Sequence, residues 1–437
     1  MSNPDRWTEL LAELAALDIT VSDEGLIDHL TGLERAKSAV AAAQARVTDA
    51  FATSQRAKLT AAGTNSANAR RSVGAQVALA RRDSPHRGSR HVGLAATLVH
   101  EMPGVLRALE RGDTSEWRVT VVARETAHLS KEQRAEIDAA IADQLRGWGD
   151  ARTEREVKAW AQRLDPHDAT ERATKAVNDR RVSIRPAPDC MTYVTALLPV
   201  KDGCAVYGAL HRHAMARAVD PDEHRGKGQI MADEFARRIL TPGEGEPQDP
   251  GIELHLVMTD RTLADADNEP AQLVGYGPIP APLARDLVRA DEKTRVWVRR
   301  LYTNTAGDLI STDARRRDFP HVARSFLTAR DQLCRTPWCG APIRHTDHAL
   351  AVAKGGQTAL NNGNGRCARC NLTKDVIGWA TLVEDGTITT TTPTGHRHAS
   401  RPPSPPTSVP WAKRPAPRRP KIQIDLFWPA ELARSRR

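Results

Sequence analysis

From Leu26 to Phe51 the residues Leu26, Leu30, Leu33, Ala36, Val40, Ala43, Val47 and Ala50 recur at spacings of three and four. That is the stripe of an amphipathic helix, and it predicts a helix whose striped face packs against the rest of the protein. Further helix starts are predicted where a hydroxyl and a Gln or Glu three residues on can satisfy each other's exposed amides, at Ser130 with Gln133 and Thr153 with Glu156. Gly112, after a leucine-rich run, predicts a helix stop. The period then changes from helical to alternating. RVSIR (181–185) and MTYVTALL (191–198), split by a Pro/Asp segment, predict two strands of a hairpin, and IELHLVM (252–258) a third strand. The Gly/Pro/Glu-rich stretch 242–251 predicts a loop. Beyond Thr392 the chain is too rich in Pro and charge to build a core, which predicts a disordered tail, although IQIDLFW (422–428) could dock locally.

These patterns predict an α+β protein: a mainly helical part over 1–180, a mixed α/β part over 181–310, a small module over 325–380 and a basic Pro-rich tail over 393–437. Nothing in the sequence approaches the roughly 18 uninterrupted apolar residues of a membrane span, and the start has no basic and then apolar leader pattern, so a cytoplasmic protein without a membrane partner is expected. Charge sharpens the picture because it is uneven. The net charge is +9, yet residues 397–437 hold ten Lys/Arg against two acids and residues 330–380 seven against three, while residues 1–329 sum to about −1. An acidic partner such as nucleic acid is therefore expected at the C-terminal quarter only. Arg418 and Arg419 are candidate phosphate contacts in the tail.

Four of the six cysteines fall within 37 residues, as Cys334-x4-Cys339 and Cys367-x2-Cys370. Two short-spaced pairs flanking a loop are how a tetrahedral four-thiolate zinc site is commonly encoded, and such a closed site staples a fold, leaving no open position for substrate. Replacing one of them by serine is expected to loosen the module and leave the helical part folded. Cys190 and Cys204 lie far away and predict ordinary thiols. Between and after the pairs stand Asp347-His348, Gly355-Gly356, Asn362, Asn371 and Lys374. If Cys367 opens a helix, then Cys367, Cys370, Asn371 and Lys374 share one face.

Here the sequence resembles the HNH endonuclease family, whose ββα-metal unit sets a β-hairpin against a helix across a catalytic divalent ion. The motif reads His348, Asn362, Asn371, an H-N-N variant. The resemblance implies His348 as general base, Asp347 and Asn371 as oxygen ligands of Mg²⁺ or Mn²⁺, Asn362 as the tie of the loop after the first strand, and Lys374 as a phosphate contact. It departs from the family in Ala349-Leu350-Ala351, where an aliphatic and a proline are usual, and in Arg366, at a position usually apolar. Residues 30–310, with SVGAQVALARRDSP, LERGDTSEWRVTVVARETAHLS and LPVKDGCAVYGAL, resemble domain-of-unknown-function family 222, which often precedes such a module.

The function expected is metal-dependent cleavage of DNA, with RNA a second candidate substrate. Since one module cuts one strand, a double-strand break needs a homodimer or rebinding. Two other readings remain at this point: a non-catalytic zinc ribbon that binds nucleic acid or protein, and an N-terminal interaction module carrying a degenerate nuclease.

Overall fold

The computed structural model describes residues 3–241, 256–265, 268–289, 319, 321–352, 355–384 and 386–403. Contacts group the chain into two compact units, Met1–Gly251 with Leu301–Ser404, and Ile252–Arg300 with Pro405–Arg437. The first opens with nine helices: α1 (Asn3–Ala15), α2 (Asp23–Ala61), α3 (Ser66–Arg81), α4 (Pro85–His100), α5 (Pro103–Glu110), α6 (Glu116–Glu125), α7 (Lys131–Ile141), α8 (Asp150–Leu164) and α9 (Pro166–Ala176). The helical N-terminal part is thus as the sequence predicts. No helix among the described residues is long and apolar enough to cross a membrane.

The face that α2 buries is not the predicted one. Ser38, Ala41, Ala42, Ala45, Thr48, Ala52, Gln55 and Leu59 turn inward, while none of the eight stripe residues is buried. Small side chains let α3, α4 and α5 pack close to α2, and this close approach outweighs the larger area that the leucines could have buried there. The main core follows, with Leu98, Val105, Leu109, Val119, Ile137, Ile141, Leu145 and Val157 from α4 to α8 around Ala42. Ser130 opens α7 with the predicted capping box. Thr153 does not open a helix: it lies inside α8, whose N-cap is Gly149, and its hydroxyl donates to the Gly149 carbonyl. After α5, Gly112 takes φ +74 and its amide donates to Leu109, the predicted stop.

The N-cap of α5, Met102, offers no side-chain bond. The buried Asp138 of α7 substitutes for it, accepting from the amides of Gly104 and Val105 at 2.7 Å each. Asp138→Ala leaves two buried donors without a partner, and is expected to cost about 2 to 6 kcal/mol at roughly 1 to 3 kcal/mol per buried unsatisfied group. Urea denaturation of the two proteins measures it, with Asp138→Asn falling between them.

The hairpin is as predicted, β1 (Arg181–Pro186) pairing antiparallel with β2 (Thr192–Leu197), and α10 (Val200–Arg217) and α11 (Lys227–Leu240) follow it. The second unit contains β3 (Leu256–Val257), α12 (Asp260–Leu263), β4 (Ala271–Leu273), β5 (Gly277–Ile279) and α13 (Ala281–Arg289), with the strands in order β3-β4-β5. Two residues of the predicted third strand therefore form β3. Residues 252–255, the loop 242–250 and its neighbour 251, and Arg418, Arg419 and 422–428 of the tail lie outside the described residues.

The first unit resumes with α14 (His321–Asp331), β6 (His345–His348), β7 (Gly363–Arg366), α15 (Ala368–Thr373), β8 (Ala380–Glu384), β9 (Thr387–Thr391) and β10 (Arg397–Ser400). β6 and β7 form an antiparallel hairpin, and the last three strands form a sheet in the order β10-β9-β8. This corrects the tail boundary at 393. Arg397 to Ser400 pair with Thr391 to Ile388, so ordered structure reaches past the Thr-rich run that seemed to end it. The module also shares a core with the helices: Val376 and Trp379 pack with Leu59, Val73, Val77 and Val92, and Trp379 Nε1 donates to Ser72 Oγ at 2.9 Å.

Candidate functional site

The four cysteines come together. Cys334 and Cys339 lie on the loop after α14, Cys367 is the N-cap of α15 with its sulfur accepting from the Cys370 amide, and Cys370 is on that helix. All are buried and their sulfurs lie within 4.8 Å of one another. Two of the separations, Cys339 to Cys367 and Cys370 to Cys339, are 3.8 and 3.7 Å. A tetrahedron with Zn–S of about 2.3 Å has edges of about 3.8 Å, which those two separations match, so the cluster could hold a metal ion such as zinc.

Crowded together without a metal, the four thiols do not ionise alike, whereas the charge around them agrees with that fit. Cys339 and Cys370 are pushed well up, first by hydrogen bonding to Cys334, which is held far down by the bonds it receives from Cys339, Cys367 and Cys370. Cys367 is raised by Cys334 and lowered by Cys339 and Cys370, ending at about 6. Four thiolates around Zn²⁺ leave a charge of −2. Beside them sit three guanidiniums, of Arg330, Arg335 and Arg366, with a single buried carboxylate, Asp331, to offset them. Asp331 accepts from Arg330, from Arg335 and from the Gly365 amide at 2.7 Å, which ties α14 to β7. Arg366 donates to Asn364 at 2.7 Å and to Thr336, and its Nη2 is buried with no partner among the described residues. Arg335 and Arg366 against Asp331 leave a net buried charge of +1, with Arg330 partly buried beside it, and that positive surplus is costly alone and complements a zinc tetrathiolate.

The hairpin places the remaining candidates. Asp347 and His348 end β6, opposite Asn364 and Gly363 of β7. His348 is buried, its ring stacked 4.7 Å from that of Phe319, with Nε2 2.8 Å from Thr358 Oγ1 and Nδ1 3.7 Å from Asp347 Oδ1. Asn362 closes the loop between the strands: its Oδ1 accepts from the Leu350 amide at 2.8 Å, and its Nδ2 donates to the Leu350 and Gln357 carbonyls. Gly356 is required there, because a Cβ would lie 1.8 Å from the Leu350 oxygen. Asn364 adds a bond from Nδ2 to the Asp347 carbonyl.

Asp347 is half buried. Burial raises its pKa, but the bond from Lys374 Nζ at 3.0 Å, that ammonium's charge and the His348 amide outweigh burial and hold it below the usual carboxylate range. Lys374 caps the C-terminus of α15, and most of its side chain is covered. Asn371 lies on α15 with its Oδ1 buried and without a hydrogen-bond partner among the described residues. His345 is exposed, and Cys190 and Cys204 stay away from the cluster. Phe319, Asp331, Thr358 and Asn364 escaped the sequence reading. Only Asn364, two residues past Asn362 and on the strand β7 that pairs with β6, carried a signal that could have found it.

The family described as Domain of unknown function (DUF222) matches residues 35–331, and that match stops three residues before Cys334. An uncharacterized protein of Mycobacterium tuberculosis, Rv3776, is 27% identical over 393 residues, covering 76% of this chain and 70% of its own length. A second uncharacterized protein of that organism, Rv2100, is 31% identical over 208 residues, covering 44% of this chain and 33% of its own length. No solved structure matches.

Proposed function

The chain belongs to the DUF222 family, and from that premise, which carries no activity with it, we propose that the cysteine-stapled module beyond the family match is an HNH endonuclease unit hydrolysing phosphodiester bonds in DNA. The observation that carries the reading is the use of Asn362 and Asn371. Asn362 spends all three of its hydrogen bonds on the loop beside His348, and Asn371 keeps a buried oxygen unspent. A ribbon that only staples a fold needs neither.

In this reading His348 takes a proton from the attacking water. With its own proton on Nε2 and bonded to Thr358, the ring presents the Nδ1 lone pair on the Asp347 side, and stacking on Phe319 fixes its plane. Asp347 and Asn371, a carboxylate and an amide oxygen, suit a hard divalent ion, and Asp347 already attracts a cation in Lys374. A bound Mg²⁺ or Mn²⁺ would stabilise charge on the phosphate and the leaving 3′ oxygen. The Lys374–Asp347 pair also favours a second reading, a non-catalytic zinc ribbon in which that carboxylate is satisfied internally.

Incubation of purified full-length protein with supercoiled plasmid separates the two. Nicked or linear product with Mg²⁺ or Mn²⁺, and none with EDTA, is expected. Intact DNA under every metal condition, with RNA and single-stranded DNA equally untouched, overturns the nuclease reading.

A further inference from the structure

The stripe on α2 that is left unburied has a stricter order than a surface helix requires. Leu26, Leu33, Val40 and Val47 stand seven residues apart, with Leu30 between the first two, and the last four of these five are 39% to 69% exposed. A seven-residue apolar repeat is the seam of a helix that pairs with another helix. Trp7, Leu10, Leu11 and Leu14 of α1, at i, i+3, i+4 and i+7, are exposed as well. On α2 alone Ile27, Leu30, Leu33, Val40 and Val47 leave on the order of 500 Å² of apolar surface open, as much as the roughly 300 to 600 Å² of the largest patch on a typical monomer, which is often functional.

Charge says what covers it. Residues 23–34 of α2 carry Asp23, Glu24, Asp28 and Glu34 and no Lys or Arg, whereas residues 35–47 carry Arg35, Lys37 and Arg46 and no acid. Over residues 23–47 this order of charges is complementary to a second copy of the same stretch running the other way, although Lys37 and Arg46 also pair with Glu34 and Glu110 of their own chain. Run antiparallel about an axis between residues 36 and 37, Leu26 meets the second copy's Val47, Leu33 meets its Val40 and Leu30 meets its Ala43, so every seam position finds an apolar mate. A parallel pair would oppose like charges along its length. The apolar IQIDLFW segment of this chain is a poorer fit: seven residues extend about 23 Å at about 3.3 Å each, short of the roughly 32 Å from Leu26 to Val47 at 1.5 Å per helical residue.

We propose that α2 is the interface of an antiparallel, two-fold symmetric homodimer, formed along the Leu26–Val47 seam. The proposal is independent of the nuclease reading, and a dimer without activity, or activity without a dimer, distinguishes the two. Light scattering and sedimentation of the full-length protein at micromolar concentration should give about twice the chain mass of 47.9 kDa. Leu33→Glu with Val40→Glu should weaken the dimer at least about 100-fold and return the monomer mass with an unchanged helical circular dichroism spectrum. Should that variant fail to fold, single cysteines introduced into the otherwise native chain decide: under air oxidation Ala36→Cys, next to the axis, should form a disulfide-linked dimer rapidly, and Leu26→Cys, remote from it, should not. A monomer at every concentration overturns the proposal. So does cross-linking at Leu26→Cys as fast as at Ala36→Cys, which would mean a parallel pair, or a dimer untouched by the charged substitutions in a folded protein.

Discussion

His348→Ala is expected to reduce metal-dependent DNA cleavage by about 10² to 10⁴-fold, the usual cost of losing a general base, while zinc content, DNA binding and thermal stability stay close to wild type. His348 lies outside the set of four cysteines and its hydrogen-bond partner, Thr358, is a loop hydroxyl, so the ring can be removed without unlinking the staple. The stacked contact with Phe319 leaves a modest packing loss. Two sets of variants separate its role from that of its neighbours. Asp347→Ala and Asn371→Ala remove oxygen ligands, so higher Mg²⁺ or Mn²⁺ should restore part of their activity, whereas no metal concentration should rescue His348→Ala. Thr358→Val, which only frees the ring, should lose far less than His348→Ala. Cleavage by His348→Ala at the wild-type rate would mean that another group takes the proton, and the mechanism would fail.

How far the site was legible from sequence follows from how local each determinant is. Cys367-x2-Cys370 and Cys334-x4-Cys339 encode their geometry within single turns, so their convergence, and the helix opening at Cys367, could be read directly. Asn362 was legible only through the family resemblance; its bonds to residues 350 and 357 depend on a loop conformation that no spacing states. Asp331 was not legible at all. Its partners at 330, 335 and 365 are set by how α14 meets β7, and one acid among a basic stretch gives no sign of becoming its buried anchor.

The fold shows the same division. Period fixed the type of element at α2 and the β1–β2 hairpin, but on α2 it pointed to the wrong face. An alanine-rich face buries less area per residue than the leucine stripe, so hydrophobicity alone favours the stripe, and only the close approach of α3, α4 and α5 reverses the choice. The same substitution of tertiary packing for local signal extends the ordered chain through Arg397–Ser400, whose polar residues become a strand because β9 offers them a free edge.

That packing changes what a lost cysteine should do. Cys370→Ser is expected to abolish zinc binding, about one ion per wild-type chain, and with it a term on the order of 10 kcal/mol that a structural four-thiolate site contributes to folding. Read from sequence, the damage would stop at the module. In the structure Val376 and Trp379 follow Cys370 by six and nine residues and complete a core with Leu59, Val73, Val77 and Val92 from three helices. Releasing them exposes those side chains, leaves the Ser72 hydroxyl without its indole donor, and frees Arg369, which donates to Ser89 of α4. The variant should therefore lose protection from protease in α3 and α4 as well as in the module, and its helical signal should melt at lower temperature. Trp379→Ala provides the control, because it keeps all four thiols and should bind zinc, yet cost about 3 to 5 kcal/mol as large aromatic truncations in cores do. A zinc-free Cys370→Ser protein whose helices melt at the wild-type temperature would show that the helices do not depend on the staple.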